Sequence, residues 1–89
     1  METAAPPKPL NEVVDGRKAI VKEIRGGRNI VTRMVTLGVI PGTEIEMVRN
    51  PKHGPLIIKV KGSYIALGQV EAAKILVQEE ENAGMPRFS

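Results

Sequence analysis

Few residues of this chain have side chains that could carry out chemistry. His53 is the only histidine in the sequence, and there is no cysteine. A metal site or an acid–base pair needs further ligands or carboxylates around such a residue, and none stands at a suitable spacing from His53. The run Glu79-Glu80-Glu81 lies in a polar end segment that cannot hold carboxylates in a defined geometry. The sequence therefore predicts no catalytic residue, no metal ligand and no cofactor.

Two other motifs are expected to have a structural role and no role in catalysis or ligand binding. Gly26-Gly27 lacks the GxxxxGK[ST] pattern that cradles phosphate, so we interpret it as a turn. Met34 and Met47 fall at positions expected to face a core, where methionine fills gaps between aliphatic side chains. These motifs favour a binding protein over an enzyme.

The composition indicates one small domain that binds another macromolecule. A chain of 89 residues can build one modest core and has little room for a deep cleft. Tyr64 and Phe88 are the only aromatic residues, so the core must be aliphatic, and Tyr64 is expected to be the one packed aromatic. Residues 10–78 hold eleven Lys and Arg against six Asp and Glu, a surplus of five positive charges. Such a domain suits an acidic protein surface or a nucleic acid.

The chain is expected to consist of three parts. Residues 1–9 contain Pro6, Pro7 and Pro9 and are predicted to be a flexible Pro-rich leader. Residues 10–78 are predicted to form the folded domain, and residues 79–89 a flexible tail. The lack of cysteine and of any apolar run long enough to span a bilayer fits a cytosolic protein.

One helix is expected in the first half of the domain, over residues 29–37. Three apolar residues fall there at i, i+4 and i+7, the spacing of one helix face: Ile30, Met34 and Leu37. Asn29 is the expected N-cap. Gly38 is expected to take the left-handed position after the helix, with Val39 as its apolar follower.

The remaining segments are predicted to be short strands separated by turns. Strands are expected at residues 17–24, 43–49, 56–61, 64–67 and 75–77, with a short helix or turn at 68–74. Pro41-Gly42 fits the centre of a type II turn. A mainly β fold of about five strands with one or two short helices would most economically close into a small barrel, because open sheet edges invite aggregation.

Three segments together resemble a known family. They are LGVIPGT at residues 37–43, GPL at 54–56 and IALG at 65–68. In this order and at these spacings they resemble the FeoA family, small cytosolic accessory proteins of bacterial ferrous iron transport, over about residues 9–78. The resemblance implies an SH3-like barrel without enzymatic activity. It also implies docking on the cytosolic GTPase region of the FeoB permease, so that the chain would reach the inner membrane only through that partner.

Six residues are the candidates for contact with such a partner. Val39 and Pro41 are expected at an exposed corner after the helix, and His53 in the loop at residues 50–55. Tyr64 is the aromatic candidate. Arg28 and Arg33 lie close to the glycine turn, and an exposed arginine could act in trans on the transition state of a GTPase; Arg28 is the better placed of the two.

The alternative interpretation is a basic SH3-like barrel that binds RNA or DNA. The positive surplus permits it, but single-strand binders stack bases on several aromatic side chains, and Tyr64 is the only candidate platform. Charge alone would give weak, salt-sensitive binding. We therefore expect a protein partner and no nucleic acid. The sequence leaves weak self-association open, as well as whether the chain activates or inhibits a permease.

Overall fold

The computed structural model describes residues 6–80 of the chain. Residues 1–5 of the predicted leader and residues 81–89 of the predicted tail lie outside this range. The described elements, in chain order, are strand β1 (Lys8–Pro9), a 3₁₀ turn (Leu10–Glu12), β2 (Lys18–Ile24), α1 (Arg28–Leu37), β3 (Glu44–Arg49), β4 (Leu56–Val60), β5 (Ser63–Leu67), α2 (Gln69–Ala72) and β6 (Ile75–Glu79). The prediction of a mainly β fold with short helices is confirmed.

The strands form one antiparallel sheet in the order β1-β6-β2-β3-β4-β5. β2 lies in the middle of this order and pairs with β6 on one side and β3 on the other. The ladder between β2 and β6 shifts register between Val21 and Glu23, and bulges of this kind bend and twist a strand. The result is an SH3-like fold with six strands where about five were predicted.

The additional strand comes from the predicted leader. Lys8 and Pro9 pair with Val77 and Leu76 of β6, although residues 1–9 were expected to be flexible. Proline lacks an amide hydrogen, but this matters little at a sheet edge, where one side of the strand needs no partner. Glu79 is the last residue of β6 and forms ion pairs with Lys8 at 2.7 Å and Arg17 at 3.2 Å. The ordered sheet thus extends beyond residues 10–78 at both ends.

The core between the sheet faces and helices is aliphatic, as predicted. Met34 and Met47 are both fully buried in it. The other buried apolar residues are Leu10, Val13, Ala19, Val21, Val39, Ile45, Leu56, Ile58, Val60, Leu67, Ala72, Ile75 and Val77. Tyr64 is not among them, because its side chain is 66% exposed, so the expectation of a packed tyrosine is wrong.

Helix α1 has the predicted buried face and a different start. Its N-cap is Gly27 instead of Asn29, which lies inside the first turn. At the other end Gly38 adopts φ +87°, and the Val39 N–H donates to the Met34 carbonyl at 2.8 Å while the Gly38 N–H donates to Val35 at 3.0 Å. This pair of bonds is the Schellman motif, which directs the residue after glycine back onto the helix.

The Asn50 side chain joins three parts of the chain that are distant in sequence. Its Nδ2 donates to the carbonyls of Asn11 at 2.8 Å and Val13 at 3.0 Å, beside the 3₁₀ turn. Its Oδ1 accepts from the Lys52 N–H and from Gln69 Nε2 of α2, both at 3.2 Å. The side chain is nearly buried, so these partners would lose their hydrogen bonds together if it were removed.

We predict that Asn50→Ala lowers the free energy of unfolding by about 2–3 kcal/mol, because it leaves partly buried carbonyl groups without a donor. Urea unfolding followed by far-ultraviolet circular dichroism measures this change. Asn29→Ala, at an exposed position of α1, is the matched control and should change the stability by less than about 0.5 kcal/mol. Equal effects of the two substitutions would contradict the role given to Asn50.

A close backbone approach fixes the start of α1. Gly26 has φ +109°, and a Cβ atom there would lie 2.8 Å from Ile30 Cγ2 and 3.3 Å from Lys74 Cδ. Gly16 has a similar φ of +87°, but its Cβ position is open. Alanine is therefore strained at both sites and additionally clashes with the helix at Gly26.

We predict that Gly26→Ala destabilises the protein more than Gly16→Ala does, by about 1 kcal/mol, because only the first requires Ile30 to move. Thermal unfolding of the two variants gives the difference directly, since the shared cost of positive φ cancels. Indistinguishable stabilities would show that α1 can shift freely against β6.

Candidate protein-interaction surface

The chain between α1 and β3 forms a rigid corner. After Val39 turns inward, the Thr43 N–H donates to the Ile40 carbonyl at 3.0 Å, and the Gly42 N–H donates to the Val21 carbonyl of β2 at 2.8 Å. Gly42 has φ +95°, as a type II turn at Pro41-Gly42 requires. These bonds hold the side chains of Ile40 and Pro41 on the outside, where both are exposed.

A groove lies beside this corner, and we call it the corner groove. It has a volume of about 500 Å³ and is lined by Ile40, Pro41, Gly42, Thr43, Glu44 and Lys61. Lys61 belongs to the β4–β5 turn and is far from the corner in sequence. The groove thus combines exposed apolar side chains with the charged residues Glu44 and Lys61. Hydrogen bonds hold its backbone in place on two sides.

A second groove of about 240 Å³ continues from the first along the outer face of the sheet. The two share Glu44 and Lys61, and the second is also lined by Lys18, Glu46 and Lys59. Strand register explains this row, because Lys18 pairs with Glu46, Glu46 with Lys59 and Lys59 with Tyr64. The Lys59 ammonium lies 5.6 Å from the centroid of the Tyr64 ring, within cation–π distance.

Glu44, which lines both grooves, interacts with the carboxyl group of Glu80. A hydrogen bond with Glu44 raises the pKa of Glu80, and burial and the Glu44 charge raise it further. Lys18 acts in the opposite direction but does not outweigh them. The Glu44–Glu80 hydrogen bond requires a proton between two carboxylates, so it strengthens as the pH falls.

The structure brings together two of the six predicted contact residues, Pro41 and Tyr64, on one continuous surface. Pro41 lines the corner groove, and Tyr64 stands next to Lys59 at the end of the neighbouring row. Lys61 connects the two regions, because it lies in the corner groove and in the turn that leads into β5.

The two arginines of α1 point to different environments. Arg33 forms an ion pair with Glu71 of α2, and this pair joins the two helices. Arg28 shares the exposed helix face with Val31 and Val35, at i, i+3 and i+7. Within residues 6–80 no ion pair engages Arg28, so it is the freer of the two arginines.

The other two candidates lie elsewhere. His53 is exposed in the loop before β4, at the opposite end of the β3–β4 hairpin from the corner, so it is not part of the grooves. Val39 is fully buried, and the expectation that it forms an exposed contact is wrong. The Schellman motif that turns Val39 inward leaves Ile40, which is 39% exposed, at the place predicted for it.

The structure adds three groove residues that the sequence did not predict: Ile40, Lys59 and Lys61. The sequence did contain a signal for Ile40. The apolar residue directly after the C-terminal glycine, Val39, packs on the helix, and the next residue, Ile40, is left outside. The two lysines carried no such signal, since their position beside the corner depends on the pairing of β3 with β4.

The described part of the chain has neither a cluster of metal ligands nor a helix that could span a membrane. Residues 6–80 contain no group of three or more His, Cys, Asp or Glu side chains placed to hold a metal ion. In the same range no helix is both long enough and apolar enough to span a bilayer.

Comparison with known families gives a clear match. The family model described as the FeoA domain matches residues 8–79, which include all six strands. This chain belongs to the FeoA family. This FeoA chain is 40% identical over 76 residues to a Methanocaldococcus jannaschii protein described as a candidate Fe(2+) transport protein A, a match that covers 85% of this chain and 92% of the relative.

Solved structures agree with the FeoA assignment. The crystal structure of an iron uptake regulatory protein, FeoA, matches with a TM-score of 0.80 and 35% identity, covering 84% of this chain and all of the other. A manganese-dependent transcriptional repressor also matches with a TM-score of 0.80, but at 17% identity and over 42% of its own length. That second likeness shows a shared fold only. The predicted resemblance to the FeoA family and the SH3-like fold are confirmed.

The raised pKa of Glu80 leads to a prediction about stability at different pH. Because the pKa of Glu80 in the folded protein is raised above its ordinary 4.5, this pair stabilises the fold fully below that value. The stabilisation is lost as the pH rises through the raised pKa, and two charged carboxylates then repel each other. Glu80→Gln stays neutral, so it should gain stability relative to the parent chain as the pH increases from below 4.5 to neutral.

Chemical unfolding of both proteins across this pH range measures the difference. The same substitution at exposed Glu12 controls for the change in net charge. A difference between Glu80→Gln and the parent that does not vary with pH would rule out the raised pKa of Glu80.

Proposed function

We propose that this chain is a non-enzymatic accessory protein of ferrous iron transport that docks on the cytosolic GTPase region of the FeoB permease. Membership of the FeoA family and the 40% identity to a candidate Fe(2+) transport protein A support the transport role. On this proposal the protein works in the cytosol and reaches the inner membrane through the permease.

The observation that carries the proposal is the corner groove. Exposed apolar side chains at Ile40 and Pro41 stand beside the charged residue Lys61 on a backbone fixed by hydrogen bonds. A rigid surface of this kind loses little conformational entropy on binding, which favours affinity for a protein partner. Apolar side chains at the centre and charges at the rim are the usual arrangement of protein interfaces.

The role of charge follows from the same surface. Lys59 and Lys61 flank the grooves, and no ion pair engages either one within residues 6–80. Complementary acidic groups on the partner would accelerate association and select the orientation of docking. The affinity itself should depend mainly on the buried apolar contact, so binding should persist at about 150 mM salt.

We predict that Ile40→Asp weakens binding to the GTPase region of the permease from the same organism by at least about tenfold, since it places a charge in the apolar contact. Val14→Asp is the matched control. Val14 is 53% exposed, and it lies near Asn50 at the other end of β3. The control should bind within about twofold of the parent chain.

Titration calorimetry with the purified GTPase region measures both affinities, and GTP turnover in the same samples gives the sign of any regulation. Fluorescent single-stranded RNA is titrated in parallel. Saturable RNA binding without GTPase binding would overturn the proposal in favour of a nucleic-acid-binding barrel. Equal losses for the two aspartate variants would remove the corner groove as the docking site.

A further inference from the structure

The two edges of the sheet differ in how well they are protected against pairing with another strand. β1, at one edge, has two residues, one of them Pro9, and the Lys8 ammonium is held by Glu79. Short length, proline and charge are the devices by which proteins block sheet edges. β5, at the other edge, has five residues without charge, proline or bulge: Ser63, Tyr64, Ile65, Ala66 and Leu67.

The hairpin geometry shows which backbone groups of β5 face outward. Lys61 and Gly62 have φ of +51° and +85° and join Val60 to Ser63, as in a two-residue type I′ turn. In such a hairpin the residues flanking the turn form a hydrogen-bonded pair, and the pairs alternate from there. Tyr64 and Ala66 therefore direct their N–H and C=O groups away from β4.

These outward groups have no backbone partner in the described part of the chain. Within residues 6–80 β5 pairs with β4 alone, and no turn or loop hydrogen bond engages the backbone of Tyr64 or Ala66. Both side chains are exposed as well. The edge can thus accept an extended segment through two N–H donors and two C=O acceptors, with the Tyr64 ring as an apolar contact.

The positive charge near this edge favours an extended segment with acidic side chains. The outer row that ends at Tyr64 contains Lys59, and the row that ends at Ala66 contains Ile57 and Arg49. Lys59 lies one strand away from the edge and Lys61 lies in the turn before it, and neither forms an ion pair within residues 6–80; Arg49 lies two strands away. Glu46 is the acidic residue of these rows, and it already lies between Lys18 and Lys59.

We propose that the β5 edge binds an extended acidic segment of a protein partner by strand addition. The segment would pair with the backbone of Tyr64 and Ala66 and place its carboxylates near Lys59 and Lys61. This inference rests on the proposed function in that the partner is a protein docking on this face of the domain, and it adds how part of that partner is recognised.

Amide exchange of the ¹⁵N-labelled 89-residue chain tests the edge directly. The probe is a capped eight-residue peptide of alternating valine and glutamate, and the same peptide with lysine in place of glutamate is its control. We expect the glutamate peptide to slow exchange of the Tyr64 and Ala66 amides at least about fivefold, while the lysine peptide leaves them unchanged. Equal protection by both peptides, or by neither, would overturn the proposal.

Two variants at Ala66 distinguish the contribution of its backbone N–H to peptide binding from that of its side chain. Ala66→Pro removes an outward N–H without breaking a bond to β4, and it should weaken binding of the glutamate peptide at least about tenfold. Ala66→Ser keeps the N–H and should bind within about twofold of the parent. If Ala66→Pro does not fold, Lys61→Glu replaces it and should remove most of the preference for the glutamate peptide; an unchanged preference would overturn the proposal.

The GTPase region of the permease links this test to the proposed function. If that region binds the parent chain but binds Ala66→Pro equally well, the strand-addition proposal fails and the docking proposal stands. If it does not bind the parent chain, the docking proposal fails and the peptide experiment still decides about the edge. Protection of the two amides that rises with protein concentration without peptide would identify a second copy as the occupant and overturn the acidic-segment proposal.

Discussion

The loops at one end of the sheet depend on the hydrogen bonds of one nearly buried side chain, that of Asn50. This residue follows the end of β3 and reaches the segment before β2, its own loop and the start of α2. A small sheet can form its ladders from backbone groups alone, but the loops at its end have no ladder to satisfy their carbonyls. Asn50 supplies both donors and an acceptor there. These bonds connect the end of β3 to the rest of the domain, while the backbone ladders of β3 and β4 align Lys18, Glu46, Lys59 and Tyr64 in one row.

Those parts of the fold that follow from local chemistry could be predicted from the sequence. The helix period gave the buried face of α1, the glycine after it gave the C-terminal motif, and Pro41-Gly42 gave the corner turn. Each of these is decided by the conformational limits of one or two residues. The N-cap was misplaced by two positions, because a glycine can begin a helix without a side-chain bond and leaves only a weak signal.

The features that the sequence did not predict all depend on contacts between segments that are distant in the chain. β1 exists because β6 offers an open edge to Lys8 and Pro9, and nothing in the residues themselves indicates a strand. The corner groove and its extension combine the α1–β3 corner with the β4–β5 turn, so neither segment reveals them alone. The same holds for the interaction of Glu80 with Glu44, because Glu44 lies in the middle of the predicted domain and Glu80 in the predicted tail. Of the six predicted contact residues, Val39 is excluded by its burial, and the other five stay predictions.

The exposure of Tyr64 has a spectroscopic consequence. The sequence contains one tyrosine and no tryptophan, so the intrinsic fluorescence of the chain comes essentially from this ring. Because the ring is 66% exposed in the native state, unfolding changes its surroundings little, and emission intensity is a poor measure of stability. The same ring stands at the sheet edge beside Lys59, where an incoming polypeptide would shield it from water. The unlabelled protein therefore carries an optical probe at this one surface.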